Sequence, residues 1–306
     1  MCDIIVVMKN IIITVVVLLL LATGIYYFTK DKQVTGPNNP TGTNVEGNNT
    51  ATTTQVVAEG SELVIGKSVE GRDIQAFNFG TGDERVLFIG GIHGGYSYNT
   101  SLLSYELIDY LKENPSAVPS NVKVTVIPVL NPDGLYKVTG KVGRFALADV
   151  ASSNATQVSG RYNANKVDLS RNFDCNWEPT GKWQTTTVSG GTKAFSEPES
   201  DSIRAYFATH DVSASVVFYS AAGGVYSSNC GGEISADTKA ITDLYAKASG
   251  YKAYSSFDSY ETSGDLVNWL AKNNIPAISV LLTNHKDTDW TKNKKGIDAL
   301  LQKFAK

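Results

Sequence analysis

"VLFIGGIHGGYSYNT", residues 86–100, carries an apolar run that ends on paired glycines, with His93 where the chain leaves what reads as a buried strand. Directly behind it, 102–114 has apolar residues at 102, 103, 107, 108 and 111, which is one face of a helix. A buried strand passing through glycines into an amphipathic helix is the repeating step of an α/β fold. A histidine at that junction stands where such sheets place their ligands.

The alternation continues along the chain. Strands are expected at 122–130, 213–219 and 276–282, and helices at 196–210, 237–249, 265–273 and 295–305. Together they predict an α/β sandwich over residues 57–306. The polar segment 135–195 is too loop-rich for the core, and long loops inside a compact domain tend to be functional. "NPDG" (131–134) reads as a turn and "FSEPES" (195–200) as a helix start.

Residues 1–32 read as a membrane anchor. Ile11–Phe28 carries no charge and, as a helix, would reach about 27 Å, close to a bilayer core of about 30 Å. The stretch is long for a signal-peptide core and lacks a clear small-x-small cleavage site. The expectation is a single-pass membrane protein with its C-terminal domain outside the cytoplasm. Residues 33–56, rich in Gly, Asn, Thr and Pro, read as a flexible linker. A net charge of −3 without any basic–aromatic cluster gives no sign of a nucleic-acid partner, and none is expected. Cys2, Cys175 and Cys230 are too few for a disulfide framework. Cys175 and Cys230 are either one bridge in an oxidising compartment or two free thiols. Asn48, Asn99 and Asn154 stand in N-x-Ser/Thr patterns, relevant only in a glycosylating host. Nothing in the sequence fixes the oligomeric state.

"GIHGGY", "NPDG", "RYNANKVDLSRNF", "FSEPES" and "YETSGDLVNWL" occur in the order seen in zinc carboxypeptidases, and the chain resembles that family over nearly all of 57–306. The resemblance implies a mixed central sheet flanked by helices and, in the parent family, a zinc ion held by two histidines and a glutamate. There the metal activates a water, a further glutamate takes its proton, and arginines hold the substrate's terminal carboxylate and the oxyanion. On this chain His93 matches the first zinc ligand and Asp168 the carboxylate that orients it. Arg161 resembles the oxyanion arginine. Arg171 matches the carboxylate-pocket arginine, followed by Asn172 and preceded by Ser170 where an asparagine is usual. Tyr260 resembles the tyrosine that closes over substrate.

Three positions depart from the pattern. Related bacterial sequences continue the first motif as His-Gly-Gly-Tyr-Glu, and here Ser97 takes the glutamate's place. The second histidine is replaced by Ser220, or by Tyr219 with the alignment moved by one. The general-base glutamate is replaced by Leu281, or Leu282 on a gap-free count. His210 is expected about 30 Å away, across a strand rising ~3.3 Å per residue. His285, with Asp287 and Asp289, follows the last strand and is nearer. A single imidazole does not hold zinc against water, because tight sites draw about 10–16 kcal/mol from several ligands together. No bound cofactor is therefore expected. The expected function is a membrane-tethered pseudopeptidase that binds peptide or protein C-termini. The alternatives are a hydrolase whose metal site is rebuilt with His285, and a structural or adhesive envelope domain.

Overall fold

A computed structural model describes residues 61–306. The anchor expected at 1–32, the linker at 33–56 and the first residues of the domain lie outside the described residues. Among the described residues no helix is long and apolar enough to cross a membrane.

In chain order the strands are β1 (Ser61–Lys67), β2 (Asp73–Phe79), β3 (Glu84–Ile89), β4 (Val122–Ile127), β5 (Thr180–Trp183), β6 (Thr186–Ser189), β7 (Ala214–Ser220), β8 (Gly224–Ser227), β9 (Lys252–Tyr254) and β10 (Ala277–Leu282). The helices are α1 (Tyr98–Glu113), α2 (Pro132–Thr139), α3 (Asn154–Ser159), α4 (Pro198–Thr209), α5 (Ala236–Ser249), α6 (Leu266–Lys272) and α7 (Trp290–Lys303). Eight strands form one mixed sheet in the order β1-β2-β4-β3-β7-β10-β8-β9, and β5 and β6 pair separately as a hairpin. The central strands β4, β3, β7 and β10 run parallel. The outer pairs β1–β2, β2–β4 and β10–β8 are antiparallel.

The strand period of two splits the core between the sheet's faces. Val86 and Phe88 of β3 point to a cluster with Leu103, Leu107 and Ile108 of α1 and Tyr245 of α5, which Leu300 and Leu301 of α7 complete. Leu87 and Ile89 point the other way, to Ile203 and Tyr206 of α4 and Leu266 and Leu270 of α6. Burial on both faces is why the central strands read as unbroken apolar runs.

The expected strands and helices are present, with boundaries moved by local chemistry. The strand expected to begin at Val86 begins at Glu84 and ends at Ile89. Gly90 and Gly91 follow the strand, and position 91 admits no side chain: φ is +64°, and a Cβ there would lie 2.5 Å from Ser101 Oγ and 2.9 Å from Val129 Cα. "NPDG" opens a helix where a turn was expected: Asn131 caps it by accepting from Gly134 N–H at 2.8 Å, with Pro132 in its first turn. The segment 135–195 is loop-rich, but its centre is not peripheral. Val167, Asp168, Leu169, Arg171 and Phe173 are all buried.

Candidate functional site

The parallel strands end on one edge, where sheets of this kind form their clefts. His93 follows β3, Tyr219 and Ser220 end β7, and Leu281 lies beside Tyr219 in the β7–β10 register. The cleft there has a volume of about 720 Å³ and is lined by His93, Arg161, Arg171, Tyr219, Tyr260 and His285, among others. Ser170, Ser220 and Leu281 also reach it.

One buried network organises its floor. Asp168 is fully buried. Its Oδ2 accepts from Arg161 Nε at 2.8 Å, and its Oδ1 accepts from both the hydroxyl and the backbone N–H of Ser170, at 2.8 and 3.1 Å. His93 Nε2 lies 3.0 Å from Ser170 Oγ and 3.6 Å from Asp168 Oδ1. Since the Ser170 hydroxyl is spent on Asp168, Nε2 carries the imidazole proton and donates. Nδ1 is therefore a bare lone pair, and it is buried without a partner. Burial, reinforced by the Arg161 charge, pushes His93 down to about 4, so the ring is neutral near pH 7. For Asp168, burial works upward, but the charge of Arg161 overrides it and holds the carboxyl well below its usual range.

The two arginines are held differently. Arg161, buried, lies 4.6 Å from the Trp183 ring centroid and 5.8 Å from that of Tyr96. Arg171, also buried, donates Nη1 to Ser170 O at 2.8 Å and Nη2 to Lys182 O at 3.0 Å. Its Nε has no partner, and the Tyr260 ring centroid lies 5.8 Å away. Asn172 supports the loop from behind. Its Nδ2 donates to Gly190 O at 2.6 Å, and its Oδ1 accepts from Glu197 N–H at 3.1 Å. It does not line the cleft.

The positions expected to have lost metal ligands are filled in three ways. Ser97 is buried at the start of α1, its hydroxyl unpartnered, and does not reach the cleft. Tyr96 does reach it. Tyr219, not Ser220, faces His93, with ring centroids 5.5 Å apart, and its hydroxyl donates to Asp265 Oδ2 at 3.2 Å. Ser220 instead meets His285, whose Nδ1 lies 3.0 Å from Oγ. His285 also packs on Tyr96 at 4.5 Å between centroids. His210 stacks on Tyr206 and does not line the cleft. Among the described residues no group of three His, Cys, Asp or Glu side chains is placed to hold a metal. Beside the bare, buried His93 Nδ1 the positions matching the other ligands hold Ser97 and Tyr219 or Ser220, a donor set that does not fit a zinc ion held by two histidines and a glutamate.

Several cleft residues escaped the sequence reading. Asp265 caps α6 by accepting from Val267 and Asn268 N–H at 3.1 and 3.2 Å, and burial pushes its carboxyl upward. An acid before an apolar helical run is a legible cap, but nothing local says that it also faces a cleft. Trp183 was a lone aromatic in a polar run. The structure also bridges Cys175 to Cys230, whose chain neighbours Asn176 and Asn229 sit in the cleft wall. Asn99 is fully buried, so its N-x-Ser pattern is no surface acceptor.

Two buried groups give opposed pH dependences. Glu199 is fully buried, accepts from Val69 N–H at 3.2 Å and from Asn163 Nδ2 at 3.1 Å, and is pushed up to about 7 by burial. Between roughly pH 4.5 and 7 the unfolded chain releases this proton while the folded protein keeps it, so Glu199's contribution falls as pH rises. His93 behaves oppositely. Between about pH 6.5 and 4 the unfolded chain takes a proton that the folded protein refuses, so its contribution falls as pH drops. Relative to wild type, Glu199→Gln is expected to lose stability as pH falls through this overlap and His93→Gln as pH rises. Each difference should approach ~1.4 kcal/mol per pH unit, read from urea unfolding at pH 4.5, 5.5 and 6.5. Parallel pH profiles for all three proteins would show that neither group has these shifts.

A family model described as zinc carboxypeptidase matches residues 53–300. Carboxypeptidase Z of Rattus norvegicus is 34% identical over 122 residues, a match covering 36% of this chain and 17% of that protein. Carboxypeptidase B of Astacus astacus is 30% identical over 147 residues, 46% of each chain. The chain thus spans less than half the length of these relatives. Among solved structures, carboxypeptidase A from Helicoverpa armigera aligns with a TM-score of 0.62 at 20% identity, over 79% of this chain and 68% of that one. Murein-tripeptide amidase MpaA from Escherichia coli O157 aligns with a TM-score of 0.54 at 20% identity, over 79% and 91%. At that identity the structural likeness concerns the fold.

Proposed function

The chain belongs to the zinc carboxypeptidase family, and from that premise we propose that it is a pseudopeptidase: a membrane-tethered domain that binds peptide or protein C-termini without cutting them. The observation that carries this reading is the pairing of two buried arginines in the cleft with a donor set that has lost its carboxylates. A terminal carboxylate entering the cleft meets the guanidinium of Arg171, whose planar fork suits two oxygens at once. Tyr260 closes beside it and the aromatic walls take the apolar part of the last residue. Hydrolysis is not part of the reading. Leu281 supplies no carboxyl group to accept a water's proton, and Tyr219 and His93 share the space between β3 and β7.

The apolar stretch 11–28 supports the tether. The Cys175–Cys230 bridge suits an oxidising compartment and so an extracytoplasmic domain. A second reading, hydrolysis with a rebuilt metal site, rests on His285. Asn99 Nδ2 donates to Asn284 O and Asp287 O at 2.7 and 2.9 Å, which turns its Oδ1 to accept from Ser220 at 3.2 Å. His285 Nδ1 then donates to Ser220, leaving Nε2 bare in the same cleft as His93 Nδ1. Zinc analysis separates the two readings. After dialysis against zinc and then zinc-free buffer, the full chain is expected to retain fewer than about 0.1 equivalents, since one or two neutral imidazoles do not reach the affinity of complete sites. Retention of about one equivalent, lost in both His93→Ala and His285→Ala, would establish the rebuilt site.

A further inference from the structure

The hairpin β5–β6 sits in the cleft as though it were a ligand. Its base is pinned. Asp168 N–H donates to Ser189 O at 3.0 Å, Gly190 N–H to Pro179 O at 2.9 Å, and Val188 is buried. Its outer half is held by different contacts. Lys182 O occupies Arg171 Nη2 at 3.0 Å, and Trp183 covers the face of Arg161 at 4.6 Å and meets the Tyr96 ring edge-on at 4.9 Å. Lys182 and the turn residues Gln184 and Thr185 are otherwise exposed. The backbone at Gly181 lies so close to Arg171 that a Cβ there would stand 2.9 Å from Arg171 Cδ and 3.2 Å from Nε. One four-residue-per-strand hairpin therefore covers both arginines, touching one through a carbonyl and the other through an indole.

We infer that this hairpin is a self-occupying gate on the carboxylate seat: Lys182 O holds in the free protein the Arg171 donor that a ligand carboxylate takes, and the tip lifts, hinged at its buried base, when a C-terminus binds. The inference rests on reading the cleft as a carboxylate-binding site, and adds how that site is regulated. The physical basis is an exchange of acceptors. A neutral carbonyl is a weaker partner for a guanidinium than an ionised carboxylate, so the ligand displaces the hairpin and not the reverse. A two-stranded hairpin outside the main sheet has little stability of its own, so the tip, held then only by its stacking on Arg161, is able to lift once the Arg171 seat is taken. Stacking on Arg161 contributes to closure. The affinity observed in solution is then the intrinsic affinity reduced by the fraction of open molecules. Loosening the tip raises that fraction and speeds entry.

The test uses the full chain with a hexapeptide bearing a free C-terminal carboxylate, and its C-terminal amide as control. Two measurements are made. Acrylamide quenching of Trp183, isolated from Trp177, Trp269 and Trp290 by subtracting the Trp183→Phe protein, is read with and without peptide. The association rate is read for wild type and Trp183→Ser, a change that removes the seat on Arg161 and leaves Arg171 untouched. Expected are a rise in Trp183 quenching of at least twofold on saturation with the acid peptide and none with the amide, and an association rate about tenfold faster in Trp183→Ser. A peptide that binds wild type while Trp183 quenching stays unchanged overturns the gate and leaves the cleft's assignment standing. Absence of binding to both wild type and Trp183→Ser overturns the assignment and the gate together.

Discussion

Asp168→Ala is expected to cost about 3–5 kcal/mol of folding free energy. The carboxylate is fully buried and is the ionic partner of Arg161, itself buried, with Nε donating to it at 2.8 Å. Ser170 and His93 lean on the same group through Oδ1. Its removal leaves a guanidinium without a counter-charge in a water-poor site, and the penalty is dominated by that uncompensated charge rather than by the pair's own attraction. The control is the pair replaced together. Asp168→Leu with Arg161→Met should recover the part due to the uncompensated charge, leaving the smaller part due to the Ser170 donors that Oδ1 accepts. Urea unfolding at pH 7 measures both. A loss below about 1 kcal/mol for Asp168→Ala would mean that Arg161 reaches water or another acceptor. The depressed carboxyl also fixes a sign with pH. The contribution of Asp168 is whole above its unfolded value near 3.9 and is lost as pH falls through the lower folded value.

Arg171→Ala is expected to weaken binding of peptides with a free C-terminal carboxylate at least 100-fold, about 2.7 kcal/mol. Binding of C-terminal amides, already weak, should not change. Arg171→Lys should recover little of it, since an ammonium presents a point charge where the seat requires a planar fork. Titration calorimetry on proteins whose circular dichroism matches wild type makes the measurement. Equal affinity of wild type and Arg171→Ala for the acid peptide would remove the carboxylate seat from the account of this protein.

Much of this was legible in the chain because it is local. The strand–glycine–glycine–helix step around His93, the apolar runs of β4, β7 and β10 and the faces of α1, α5 and α7 each carry their signal within a dozen residues. The outer strands β1, β2, β8 and β9 are weaker in the sequence. β1 is largely exposed and carries a bulge between Val64 and Gly66, so neither an unbroken apolar run nor a clean alternation marks it. Helix α2 was hidden because Asn, Pro, Asp and Gly serve equally at a turn and at a helix start; only the tertiary path decides. In the cleft, motif order located His93, Arg161, Asp168, Arg171 and Tyr260. It left open which of Tyr219 and Ser220 faces the histidine, a question of one residue in strand phase, since adjacent side chains take opposite faces. Tyr219 faces it. The roles of Trp183, Asp265 and His285 depend on chain crossings that no local pattern encodes.

The bridge between Cys175 and Cys230 spans 55 residues of chain and joins the segment just past Arg171 to the loop behind β8. Its immediate neighbours are cleft-wall residues, so the redox history of a sample decides how firmly two sides of the cavity are stapled together. Protein harvested from bacterial cytosol, or stored with dithiothreitol, would present a slacker vessel than material secreted through an oxidising route. Ligand screens run on the two preparations would be interrogating different receptors.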